Sequence, residues 1–174
     1  MIISTHTPQN HQGLTLLELL ATLAIISIIA TISIPSLTTL HRKHVLHTHT
    51  NQIVFDLYLA RSEAIKTATE TTLCKSGDLL TCDNDREWHE GWIIFSDNNQ
   101  NKQFDKDELL IRQRAASHST ITIKYRGFRG PNRISYSPTG YPATFNGSFT
   151  ISNTSRENKV IISRAGRVRT TNGT

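Results

Sequence analysis

Basic residues are missing from the start of this chain. Residues 1–13, MIISTHTPQNHQG, contain no lysine or arginine. An ordinary secretory signal needs a basic start, a shorter apolar run and a small-residue cleavage site after that run. Here the small residue, Gly13, precedes the run. A Gly-rich nucleotide loop and a G-x-S-x-G elbow are also absent, and His89 and His118 have no evident nucleophile beside them, so neither catalysis nor a cofactor is expected. There is no base-reading helix, no RNP-like aromatic motif, no internal repeat and no low-complexity tract. Cysteine is scarce, with two among 174 residues, which limits internal cross-linking to one bridge.

What is present begins with LTLLELLATLAIISIIATISI, residues 14–34, whose single charge is Glu18. About 20 apolar residues span a hydrocarbon core, so this run predicts a membrane helix. The rest of the chain has too few long apolar segments to bury it as a core helix. A carboxylate in lipid is unfavourable by several kcal/mol unless it finds a partner. Glu18 therefore needs a reason to be there.

A short polar leader ending in Gly, followed by an apolar helix with Glu at its fifth residue, resembles the N-terminus of type IV pilins and type II secretion pseudopilins. The resemblance implies that a prepilin peptidase cuts between Gly13 and Leu14 and methylates the new N-terminus at Leu14. It also implies that Glu18 pairs with the terminal amine of a neighbouring subunit, so that its charge is neutralised only when subunits stack in register. Pro35 falls at the family's frequent proline, the 22nd mature residue. Leu14 departs from the usual Phe after the cut.

The expected organisation is a leader over 1–13, a transmembrane and assembly helix over 14–35, an amphipathic stalk helix over 36–70 and a β-rich head over 71–174. The stalk has apolar residues at 37, 40, 45, 46, 53, 54, 57, 58, 60 and 64, a helical spacing that ends near Thr69 and offers a face to a sheet. Beyond residue 73, runs at 91–95, 108–114, 120–126, 133–137, 148–152 and 159–163 read as short strands between Gly, Pro and Asn clusters. The fold class is α+β: a long N-terminal helix packed on an antiparallel sheet or small sandwich. The polar tail TTNGT is expected to fray.

Cys74 and Cys82 lie eight apart with Gly77 available for a turn. In a head exported to an oxidising compartment they are expected to form a disulfide; a Cys2His2 zinc site using His89 and His41, His44, His47 or His49 is the alternative. In DNNQNKQFDKDE, residues 97–108, oxygen-bearing side chains fall at positions 1, 3, 5, 9 and 12: Asp97, Asn99, Asn101, Asp105 and Glu108. That is the calcium-loop spacing, but Lys102 stands where such a loop needs Gly and a strand precedes it. A polar hairpin loop, with no metal, is the expected reading.

Residues 88–112, WHEGWIIFSDNNQNKQFDKDELLIR, with the terminal VIISRAGRVR, are similar to the GspH/FimT branch of minor pilins and pseudopilins. Lys102 and Lys106 sit where that branch often has glycine. The resemblance implies an inner-membrane protein with a single span and a periplasmic head, which partners other pilins and reaches the cell surface in a pilus.

Charge divides the head. Residues 74–110 carry nine acids and four bases, net −5, whereas residues 111–174 carry eleven bases and one acid, net +10. Such a block attracts a polyanion. In SRAGRVRT, Gly166 permits a turn, and Arg167 and Arg169, two apart, share one face of an extended segment about 6.6 Å apart. GRVR resembles the GRxR motif of the DNA-binding FimT minor pilins of natural transformation. The expected DNA-binding set is Arg164, Gly166, Arg167 and Arg169 with Lys124, Arg126 and Arg129, while Tyr125 and Phe128 serve base stacking or the core. Binding is expected to go to the phosphate backbone with low sequence specificity. The alternative is a structural minor pseudopilin of a type II secretion system, initiating or capping the pseudopilus without binding DNA.

Overall fold

The computed structural model describes residues 15–117, 120–127, 132–143 and 146–173, with no side-chain description for 32–36. Gly13, Leu14, Phe128, Arg129 and His118 lie outside the described residues. Two compact units divide the chain between residues 41 and 42.

In the first unit the chain is helical, as the opening part of α1 (Leu16–Thr67). Glu18 N–H is capped by Thr15 Oγ1 at 3.3 Å, and Thr22, Ser27 and Thr31 each donate back to a carbonyl three residues earlier. Leu16, Leu17, Leu20, Leu23, Ile26 and Ile29 are exposed. Among the described residues no helix is long and apolar enough to cross a membrane. The expected span, residues 14–35, runs past the described apolar stretch at both ends.

The second unit carries the rest of α1 and two antiparallel four-stranded sheets. Sheet A runs β3 (Leu110–Ala115), β2 (Gly91–Asp97), β1 (Glu70–Lys75), β5 (Arg133–Tyr136). Sheet B runs β4 (Thr122–Gly127), β6 (Gly147–Ser152), β7 (Glu157–Ile162), β8 (Val168–Asn172). Leu46, Thr50, Ile53, Leu57, Ala60 and Ala64, a 3.6-residue stripe, are the buried face of α1. All of these but the polar Thr50 share one core with Trp92, Ile94, Ile134 and Tyr136 of sheet A and Ile123, Tyr125, Phe149 and Val160 of sheet B. Trp88, just before β2, packs edge-on against Phe149 at 5.1 Å and Tyr125 at 6.1 Å. Of the two roles open to it, Tyr125 therefore takes the core one, because the period of β4 turns it inward.

Three details differ from the sequence reading. The helix ends at Thr67, where Ala68 turns to φ 52°. Glu70–Lys75, not expected as a strand, is a central strand buried along its whole length. The tail does not fray over Thr170–Asn172, because β8 pairs with β7 from Val168↔Ile162 to Asn172↔Asn158. Backbone pairing holds this edge, and polarity alone does not reveal it.

Candidate nucleic-acid interface

Sheet B has one apolar and one polar face because its strands alternate. Ile123, Tyr125, Phe149, Ile151, Val160 and Ile162 point into the core; Lys124, Arg126, Lys159 and Arg169 are exposed. Register then sets neighbours. One cross-strand row reads Arg126, Ser148, Ile161, Arg169, and the next reads Lys124, Thr150, Lys159, Thr171. Residues opposite one another on an antiparallel ladder project to the same side. Four bases from three strands thus share one solvent face, and Arg126 and Arg169 stand three strand spacings apart, ~14 Å.

Glu157 is the one acid on these four strands, and it is partly engaged by Lys159 at 3.2 Å. A shallow cleft of about 430 Å³ opens on the same face between Arg126 and Lys159, with Gly127, Gly147, Ser148 and Ile161 among its lining. Lys159 belonged to the basic block in sequence but not to the expected site. Its signal was the strand period of KVIIS, which puts it on the face opposite Val160.

The β7–β8 turn extends the face. Gly166 takes φ 74° and its N–H donates to Ser163 O at 2.8 Å. Arg61 of α1 donates from Nη1 to Gly166 O at 2.8 Å, and Arg167 N–H reaches Ser163 Oγ at 3.0 Å. Val168 packs against the core, leaving Arg167 and Arg169 exposed on either side of it. Gly166 itself is buried, so it shapes the turn and offers no contact surface. Arg164 is exposed in the same turn.

Not every base is available. Arg114 is committed to Asp56 of α1 by two hydrogen bonds, Nε to Oδ2 at 2.9 Å and Nη2 to Oδ1 at 3.1 Å. Arg112 stands 3.8 Å from the same carboxylate and lies over the Phe55 ring at 4.9 Å. Arg133 donates weakly to Asn84 Oδ1 at 3.4 Å. The usable positive surface is thus on sheet B and its final turn.

Elsewhere, Cys74 and Cys82 form a disulfide. The zinc alternative is overturned by this bond, since both sulfurs are consumed. Among the described residues no three His, Cys, Asp or Glu side chains form a ready metal cluster. The bridge lies on the outer side of sheet A, in a small cluster with Ile93, Phe95, Leu79 and Phe104. His89 sits in the 3-10 turn Trp88–Glu90, and its carbonyl accepts from Ser117 N–H and Oγ.

A family model described as type II transport protein GspH matches residues 49–166. A second, the prokaryotic N-terminal methylation motif, matches residues 8–34. The fold is similar to the type IV minor pilin FimU of Pseudomonas aeruginosa in two crystal forms. The TM-scores are 0.58 and 0.55, with 18% identity in each; 72% of this chain and 87% and 91% of those chains are covered. It is also similar to the minor pseudopilin EpsH from the type 2 secretion system of Vibrio cholerae (TM-score 0.51, 11% identity, 72% and 95% covered). At these identities the likeness concerns the fold alone. No curated protein matches the chain.

Proposed function

The chain belongs to the GspH family of minor pilins and pseudopilins, and on that premise we propose that it is a minor type IV pilin whose head binds extracellular DNA for uptake. The observation that carries the reading is the shared face of Lys124, Arg126, Lys159 and Arg169, continued by Arg167. The ~14 Å between the ends of its widest row is close to the ~12 Å width of a major groove, so phosphates on both rims come within reach of long side chains. Arginine forks grip phosphate bidentately, and the row carries no device for reading bases. Uptake of unrelated sequences needs that indifference.

The N-terminus has its own part in this reading. A prepilin peptidase cleaves between Gly13 and Leu14 and methylates Leu14; the exposed apolar side chains of α1 hold the precursor in the inner membrane with its head in the periplasm. Glu18 then pairs with the terminal amine of the next subunit in the filament. The methylation-motif match over residues 8–34 supports this part.

The test is a mobility shift of residues 42–174 with random-sequence duplex DNA at several salt concentrations. Binding should weaken steeply with salt, and Lys159→Gln should lower the log–log slope by about 1, as loss of one phosphate contact does. Absence of binding at low salt would instead favour the second reading, supported by the match to the type II transport family: a structural minor pseudopilin whose basic face meets an acidic neighbour in the filament.

A further inference from the structure

The hairpin loop between β2 and β3 is organised around one carboxylate. Asp97 ends β2 and is fully buried. Its Oδ2 accepts Lys102 N–H at 3.0 Å and Thr72 Oγ1 at 3.0 Å. The Lys102 bond ties the carboxylate to the loop backbone. Its other oxygen, Oδ1, is buried with no hydrogen-bond partner. An anionic oxygen removed from water and left without a donor is costly, and a bound cation is one of the few groups that repays it.

The surrounding residues are acceptors. Asn99 Oδ1 takes Asn101 N–H at 3.0 Å and Asn101 Oδ1 takes Gln103 N–H at 2.7 Å, each leaving a second lone pair. Their amide nitrogens both donate to Asp105 Oδ2, at 2.9 and 2.7 Å, gathering positions 3, 5 and 9 of the loop at one point. Glu108 folds back from position 12, with Oε1 on Asn98 N–H at 2.9 Å and Oε2 on Asp105 N–H at 3.1 Å. The sequence objection to a calcium loop was Lys102 at position 6. Lys102 nevertheless adopts φ 63°, the left-handed conformation that position demands of its usual glycine.

We propose that residues 97–108 bind a calcium ion, with Asp97 Oδ1 as the anchoring ligand and Asn99, Asn101, Asp105 and Glu108 completing an all-oxygen shell. The three carboxylates are not gathered in advance, so the loop closes as the ion enters. That closure, together with Lys102 and Lys106 beside the acids, sets the affinity in the weak range of extracellular calcium modules, on the order of 0.1–1 mM. Calcium is favoured over magnesium because a flexible set of carboxylate and amide oxygens suits six to eight ligands, whereas magnesium keeps most of its water. The site lies on the hairpin of sheet A and is independent of the DNA reading.

The experiment is a calcium titration of the full chain in detergent, followed by calorimetry and thermal melts, with magnesium as a parallel arm. The expected result is a saturable calcium response and a raised melting temperature, with little effect of magnesium at the same concentration. Asp97→Asn should weaken calcium binding at least tenfold. Because Asp97 also holds Thr72, the half-buried loop variant Asp105→Asn, which touches no residue of the core, is tested beside it and should show the same direction with a smaller change in the calcium-free melt. No saturable response up to about 5 mM, an equal response to magnesium, or unchanged affinity in Asp105→Asn would overturn the proposal.

Discussion

Asp56 of α1 and Arg114 of β3 meet as a two-pronged ion pair, Nε to Oδ2 at 2.9 Å and Nη2 to Oδ1 at 3.1 Å, with the carboxylate fully buried. Trp92 Nε1 donates to the same Oδ2 at 2.9 Å. One acid on the helix thus ties two strands of sheet A to it. The pairing, through its hydrogen bond, raises the Arg114 pKa above its ordinary value. Asp56→Ala takes the acceptor from the buried Trp92 Nε1 and the counter-charge from the part-exposed Arg114, so it should cost about 1–3 kcal/mol in urea unfolding. The combined Asp56→Leu/Arg114→Met change, which removes the two-pronged partner along with the carboxylate and leaves only the longer Arg112 contact and the Trp92 Nε1 bond unmet, should cost less.

That clasp also marks what the sequence could and could not tell. The helix stripe was legible from its 3.6-residue repeat, β2 from the continuous apolar run GWIIF, and other strands from β-rich runs between turn residues, where the alternation in KVIIS and TITIKYR already sorted bases from core. Asp56 was illegible because it interrupts an apolar face, and its partners lie 36 and 58 residues away. β1 was hidden because a central strand buried on both faces loses its alternation, and ETTLCK reads as a polar junction. The basic face was half legible. Sequence gave the charge and the turn, but only register aligns Arg126 with Arg169 and brings in Lys159.

The disulfide closes a short ring, with a sequence separation of 8. The chain-entropy estimate for such a ring is about 2–3 kcal/mol. A Cys74→Ser/Cys82→Ser double variant should lose that much stability in equilibrium unfolding. The loss should fall mainly on the outer cluster of Ile93, Phe95 and Phe104, since the main core lies on the other face of sheet A. Hydrogen exchange checks this: protection should drop first over residues 76–82 and 98–104.

Asp78 sits inside that ring, where its Oδ1 accepts the N–H groups of Leu80 at 2.8 Å and Thr81 at 2.9 Å. These backbone donors, Leu80 first, together with the Thr81 hydroxyl, hold the carboxyl well below its ordinary value of 3.8. A depressed folded-state pKa means that the stabilisation is complete above the unfolded value and is lost as pH falls through the folded one. The loop should therefore keep its structure on acidification through pH 3.8 and loosen only below it. Because Asp78 is exposed, the effect should be local. Amide shifts of Leu80 and Thr81 should follow this titration in the native chain and not in Asp78→Asn.

Gly166 allows shape and charge to be separated in the proposed DNA face. At φ 74° an alanine is strained, and its Cβ would stand 2.7 Å from Gly140 O, a backbone atom with little room to yield. Gly166→Ala should cost about 1–3 kcal/mol in thermal or urea melts. It should also shift the turn that Arg61 pins at Gly166 O, displacing Arg167 and Arg169 without removing either charge. Arg167→Gln does the reverse: the side chain is exposed, so stability should stay within about 0.5 kcal/mol while one phosphate contact is lost. If the face acts through placed guanidiniums, both variants should bind DNA more weakly with a shallower salt slope, Arg167→Gln by about 1, while only Gly166→Ala should also weaken the fold. If Gly166→Ala weakened the fold yet left DNA affinity unchanged, net positive charge alone would account for binding, and the turn would have no part in it.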